Sequence, residues 1–193
     1  MNPKSNIELE YKFWVKDKKN LIQSLAHQAK IKKARQYQKT VMFDNELGLM
    51  QKTNGRIRVR TFGNSNKKTL TYKRPLPPKN GAKREIEYEI SFFDPNEQIE
   101  EILKAMGFEP TTSYERYQTE WEMNDVRVTL DEYPFTDIIE IEGAKEDIEK
   151  VAEKLGFNKT EGLIKPVDTL FQEWRRAKGL PFKPHMRFND FDK

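Results

Sequence analysis

Ile7-Glu8-Leu9-Glu10-Tyr11-Lys12 and Ile139-Glu140-Ile141-Glu142 carry one pattern at distant points of the chain. Successive side chains of an extended strand point to opposite faces. Glu8, Glu10 and Lys12 therefore share one face, and Ile7, Leu9, Tyr11 and Phe13 share the other. Glu140 and Glu142 separate from Ile139 and Ile141 in the same way. If the two strands are neighbours, their carboxylate pairs meet and offer a site for a hard divalent cation, which takes oxygen ligands.

The alternation recurs. Arg56-Ile57-Arg58-Val59-Arg60 puts three arginines on one face, and Glu85-Ile86-Glu87-Tyr88-Glu89-Ile90 does so with three glutamates. Thr69-Leu70-Thr71-Tyr72-Lys73 groups Lys73 with two threonines, and Arg127-Val128-Thr129-Leu130-Asp131 groups Arg127 with Asp131. Further strands are expected over 35–43 and 114–122. Asn54-Gly55, Gly63 to Asn66 and a loop from Pro75 to Gly81 punctuate them. Eight or nine strands joined by short turns predict an antiparallel sheet or barrel. Helical spacing predicts helices over 17–29, from Asp94-Pro95 to Met106, over 144–155 and over 167–178, the second and third stopped by Gly107 and Gly156. No element is assigned after Gly179.

Taken singly, each strand also reads as an amphipathic strand with a wet outer face. Taken together, the polar faces are each nearly of one sign, and like charges two residues apart repel unless a counter-ion or ligand answers them. The apolar faces need cover, which the amphipathic helices supply. The expected fold class is α+β: a barrel turned inside out, with helices on its greasy exterior and a charged lumen wide enough for a polyanion.

Composition narrows the chemistry. The 193 residues contain no cysteine and only two histidines, His27 and His185. Thiol catalysis, cysteine–zinc sites and a histidine-rich metal centre are excluded, leaving oxygen-ligated Mg²⁺, Mn²⁺ or Ca²⁺. No G-x-x-x-x-G-K-S/T phosphate loop is present. No stretch approaches the ~20 apolar residues of a membrane span and no apolar leader is visible, so no membrane partner and a cytoplasmic location are expected. Mixed charge with a net of +4 is no basic stripe, so nucleic acid is not expected as a partner. Acidic pairs beside basic runs suit a triphosphate: arginine and lysine grip phosphate oxygens, and carboxylates hold the metals that neutralise them.

The residues carry a resemblance at this point. Glu8-x-Glu10-x-Lys12 resembles the E-x-E-x-K signature of the CYTH superfamily, the triphosphate tunnel metalloenzymes. Arg58-x-Arg60, Leu70-Thr71-Tyr72-Lys73, Arg84-Glu85-Ile86-Glu87, and Leu130-Asp131 followed by Glu140-Ile141-Glu142-Gly143 resemble its later blocks, in the family's order, over roughly residues 5 to 175. Three stretches depart from the family pattern: Ile164 to Phe171, Glu132 to Asp137, and Glu115-Arg116 in place of a K-x-R pair.

The resemblance implies an eight-stranded antiparallel tunnel with outer helices, formed by residues 1–178, with 179–193 as a tail. It implies Glu8, Glu10, Asp131, Glu140 and Glu142 as ligands of Mg²⁺ or Mn²⁺. It implies Lys12, Arg58, Arg60, Lys73, Arg116, Arg127 and Lys165 as triphosphate binders, and Asp131, Glu87 and Lys12 as catalytic groups. The expected activity is metal-dependent hydrolysis of tripolyphosphate, a nucleoside triphosphate or thiamine triphosphate. Class IV-type adenylyl cyclisation of ATP and non-catalytic binding of a nucleotide or polyphosphate are the alternatives. A homodimer is compatible with all three.

Overall fold

In a computed structural model, described for residues 7–63, 65–79 and 82–191 and for their side chains except at positions 7, 8, 78, 79, 82 and 83, the strands close into a tunnel. The strands are β1 (Ile7–Trp14), β2 (Lys30–Asn45), β3 (Arg56–Phe62), β4 (Lys67–Lys79), β5 (Ala82–Phe93), β6 (Phe108–Met123), β7 (Val126–Tyr133), β8 (Thr136–Glu142) and β9 (His185–Met186). The helices are α1 (Lys18–Gln28), α2 (Leu49–Thr53), α3 (Gln98–Ala105), α4 (Lys145–Lys154) and α5 (Val167–Ala177). The order around the wall is β2-β3-β4-β5-β1-β8-β7-β6, and β2 pairs with β6 to close it. Every one of these pairings is antiparallel. Closure leaves no edge along most of the wall.

The expected inversion is realised. Outward-facing Tyr11, Phe13, Val128, Leu130, Ile139 and Ile141 are buried in one cluster with Leu21 and Leu25 of α1 and Ile148, Val151 and Ala152 of α4. Each Val, Leu, Ile or Phe side chain among them contributes about 1.5–3 kcal/mol when fully buried. Leu103 of α3 packs with Phe43 and Val59 on the far side. α5 has a different position. Its Val167, Leu170 and Phe171 share a cluster with Met42, Tyr114, Tyr133 and Ile138, which alternation places on the inward face. The helix thus covers one end of the tunnel.

Local chemistry sets the joins. The Asp17 carboxylate caps α1 by accepting from Asn20 N–H at 3.0 Å. Asn124 and Asp125, both at positive φ, make the two-residue turn between β6 and β7 that the strands' twist favours. Two expectations need correction. Residues 75–79 are strand, not loop: β3 stops pairing with β4 at Lys73, so the prolines lie where β4 has only β5 as partner and a missing N–H costs no ladder bond. Asp94 does not stand directly before its helix. The helix begins at Gln98, and the Asp94 carboxylate reaches forward to accept from Gln98 and Ile99 N–H at 2.9 and 3.1 Å. The tail, to which the sequence assigns no element, holds β9, which pairs parallel with Ser113 and Tyr114 of β6, on a stretch that β7 does not reach.

Candidate active site

The inward faces enclose a cavity of about 560 Å³. Register decides what meets there. Glu10 of β1 lies opposite Glu142 of β8, and Lys12 lies opposite Glu140. Arg56 lies opposite Lys73, and Lys73 opposite Glu87. Arg56, Arg58 and Arg60 form a ladder on β3, and Arg116 and Arg127 come from β6 and β7.

Most of these charges are paired. Lys12 Nζ sits 2.8 Å from Glu140 and 3.7 Å from Glu10. Burial disfavours its charge, but the two carboxylates outweigh burial and raise its pKa. The Glu140 carboxyl is likewise raised by burial but held low overall, chiefly by Lys12. Arg127 spans Glu120 and Glu142 at 3.4 and 3.1 Å. Lys73 lies 2.8 Å from Glu87, which also faces Arg58 at 3.4 Å, and Arg56 pairs with Glu85. A second network is buried at the cavity wall. Arg116 donates to Asp131, and Gln118 and the Tyr133 hydroxyl donate to the same carboxylate at 2.8 and 3.2 Å. Arg116 also donates to Gln38 at 3.0 Å. Beside it, burial raises the Tyr114 phenol, but Arg58, Arg60 and Arg116 together pull it down to about 7.

The sequence matches the CYTH domain family over residues 6–167. This chain belongs to the CYTH domain family. No curated protein sequence matches it significantly. Among solved structures it is similar to the PH1012 protein from Pyrococcus horikoshii, at 25% identity over 82% of this chain and 96% of that one, with a TM-score of 0.68. An adenylate cyclase-like protein from Vibrio parahaemolyticus shares the fold at 12% identity over 86% of this chain and 98% of that one, with a TM-score of 0.72. The Hippeastrum protein HpAC1, described as having a dominant triphosphatase activity, does so at 17% identity over 92% and 90%, with a TM-score of 0.58.

In this CYTH domain, Glu10, Lys12, Arg58, Arg60, Lys73, Glu87, Arg116, Arg127, Glu140 and Glu142, all expected from sequence, line one cavity. Asp131 lies behind the lining, fully buried. Lys165 is not among the lining residues and pairs with Glu173 at 2.5 Å on the surface. Glu8 stands on β1 opposite Glu85, but its side chain lies outside the described ones. The lining also includes Arg56, Glu85, Glu89, Tyr114, Gln118, Tyr133 and Asp168, which the sequence reading left out of the site. Strand alternation already put Arg56, Glu85 and Glu89 on the right faces. The family's triphosphate tunnel metalloenzymes depend on a metal, and the carboxylate donor set suits a hard cation. Among the described residues no three acidic side chains converge on one point. Glu10 and Glu140 are turned onto Lys12, and Glu142 onto Arg127.

Proposed function

We propose that this CYTH domain is a metal-dependent triphosphatase that hydrolyses a phosphoanhydride of a bound triphosphate. One observation carries the reading: an enclosed cavity faces a basic ladder of Arg56, Arg58, Arg60 and Lys73 on one side and the carboxylates Glu10, Glu140 and Glu142 on another. Such an arrangement is complementary to a polyanion travelling with its metals.

The arginines and Lys73 would hold phosphate oxygens, arginine through paired hydrogen bonds. Glu87 is shared at rest between Lys73 and Arg58. An incoming phosphate would compete with Glu87 for both cations, and the Glu87 carboxylate would accept the proton of the attacking water. Lys12 would stabilise charge on the leaving phosphate oxygen, and Asp131 would hold Arg116 in place from behind. Glu10, Glu140, Glu142 and Glu8 would hold Mg²⁺ or Mn²⁺, rotating away from Lys12 and Arg127 to do so. Such a metal, when bound, neutralises phosphate charge.

The test is incubation with Mg²⁺ or Mn²⁺ and, separately, tripolyphosphate, ATP and thiamine triphosphate, with products separated by chromatography. Orthophosphate release is expected. Cyclic AMP with pyrophosphate would replace hydrolysis by cyclisation, and tight binding without turnover would make the domain a binding module.

A further inference from the structure

Tyr114, Arg116 and Gln118 of β6 line the cavity, and strand alternation puts Glu120 next on the same face. Glu120 is 8% exposed and has no role in the proposed hydrolysis. A buried carboxylate needs a positive partner, and Glu120 has two. Lys33 of β2, its register partner, reaches it at 2.7 Å. Arg127 of β7 reaches it at 3.4 Å.

The Arg127 contact runs across the register. Arg127 stands opposite Glu122 on β6 and opposite Glu142 on β8. The Glu122 carboxylate is engaged by Lys32 at 2.8 Å. Arg127 instead crosses diagonally to Glu120, a reach that long side chains make on one face of a sheet. Its Nε faces Glu120 at 3.4 Å and its Nη1 faces Glu142 at 3.1 Å. Both contacts exceed the ~2.7–2.9 Å of a well-made charge-assisted hydrogen bond. One guanidinium is thus divided between two carboxylates, and either contact tightens at the expense of the other.

This division bears on the metal. Glu142, with Glu10 opposite it, is among the carboxylates assigned to Mg²⁺ or Mn²⁺, so a cation arriving there must displace Arg127. With Glu120 present, the displaced guanidinium closes on a second carboxylate. With a neutral side chain at 120, Arg127 closes on Glu142 beforehand, and the metal must break a tighter pair. We propose that Glu120 is a positioning residue: it draws Arg127 away from Glu142 and so opens that carboxylate to the cation, while Lys33 moderates its pull from outside. The inference rests on the assignment of Glu142 to the metal.

In the experiment, Mn²⁺ alone is titrated into the full chain by isothermal titration calorimetry. The proteins are the wild type, Glu120→Gln, Lys33→Gln, Arg127→Gln and the Glu120→Gln/Arg127→Gln double variant. Glu120→Gln is expected to raise the Mn²⁺ Kd about fivefold, the upper end of what a half-exposed ion pair supplies. In the Arg127→Gln background the same change should move Kd by less than about twofold, because no guanidinium remains to be shared. Lys33→Gln alters a side chain that is 62% exposed, so it decides the sign even if the buried variant fails to fold: Kd should fall about twofold, and a Kd that does not fall overturns the proposal. An equal rise for Glu120→Gln in both backgrounds also overturns it, since Glu120 would then act only as a negative charge. Mn²⁺ binding to the wild type that Glu120→Gln leaves unchanged overturns the proposal alone. A wild type that takes up no Mn²⁺ overturns the assignment of Glu142 to the metal and the proposal with it.

Discussion

Lys12 and Glu140 face each other across the β1–β8 pair at 2.8 Å, with Glu10 on the other side of the same ammonium at 3.7 Å. The lysine stands between two carboxylates where a metal ion would also be attracted. Metal binding at this point is therefore an exchange of cations, and its strength depends on the carboxylate charge. Glu140→Gln keeps the size of the side chain and an oxygen to accept from Lys12, and Glu10 still answers the lysine charge. The variant is expected to keep its circular dichroism spectrum and to lose Mg²⁺-dependent orthophosphate release by at least about 100-fold, the upper end of what disturbing a ligand's supporting partner costs. Undiminished release would sink the assignment of Glu140 to the metal.

Removal of metal tests the same assignment from the other side. Excess chelator is expected to stop turnover, and Mg²⁺ or Mn²⁺ to restore it, whereas the fold should survive because Lys12 and Arg127 already neutralise these carboxylates. A melting temperature that collapses with chelator would show that the ion is structural.

Asp131 is enclosed by Arg116, Gln118 and Tyr133. Asp131→Asn removes the carboxylate to which the buried Arg116 cation donates, and breaking a buried pair costs about 3–5 kcal/mol. Denaturant midpoints measured with chelator present are expected to show a loss of that order. If the stability of the metal-free protein is unchanged, Asp131 acts on the metal alone and not through Arg116.

The parts of this molecule that could be read from its residues are those where neighbours in sequence are neighbours in space. Strand alternation put Arg56, Arg58 and Arg60 on one face and Glu85, Glu87 and Glu89 on another, and the cavity collects all six. Single-sign faces then identified the lumen, because nothing but a ligand or an opposite charge would tolerate them. Features built by distant partners gave no such signal. α2 is only five residues long, and its N–H groups at Met50 and Gln51 are capped from β2 by Asp44, at 2.8 and 3.1 Å. A second cavity, of about 670 Å³, draws Met42, Met50, Leu76 and Ile164 from four separate segments. Lys165 precedes α5 outside any strand, so no alternation governs its direction.

Tyr114 predicts a pH dependence. Arg58 and Arg60 from β3 and Arg116 from β6 act on it, and Tyr133 from β7 lies against it. With its phenol pulled down to about 7 in the fold and an ordinary pKa near 10 when unfolded, the ionised form is favoured by folding. Its stabilisation is complete above pH ~10 and is lost as pH falls toward ~7. A bound triphosphate takes the same arginines and drives the proton back on, so affinity for tripolyphosphate is expected to fall by up to about tenfold per pH unit above ~7. Tyr114→Phe should flatten that slope. The tyrosinate absorbance band, titrated with and without tripolyphosphate, checks the sign. A band that rises only near pH ~10 in the free protein would refute it.

The tail supplies the last expectation. Met186 is 1% exposed and belongs to the cluster that joins Phe171 of α5 to Tyr114 and Tyr133 on the tunnel's inner face. Phe191 packs on Trp174 with ring centroids 5.7 Å apart. β9 thus holds α5 against the end of the lumen as well as extending the wall beside β6. Met186→Ala removes a buried side chain of a kind whose loss costs about 2–5 kcal/mol. Because α5 covers the cavity whose lining includes Val167 and Asp168, the variant should also raise KM for a triphosphate while leaving kcat less affected. A thermal melt paired with steady-state kinetics separates the two effects. Unchanged stability would mean that the tail does not hold α5 in place.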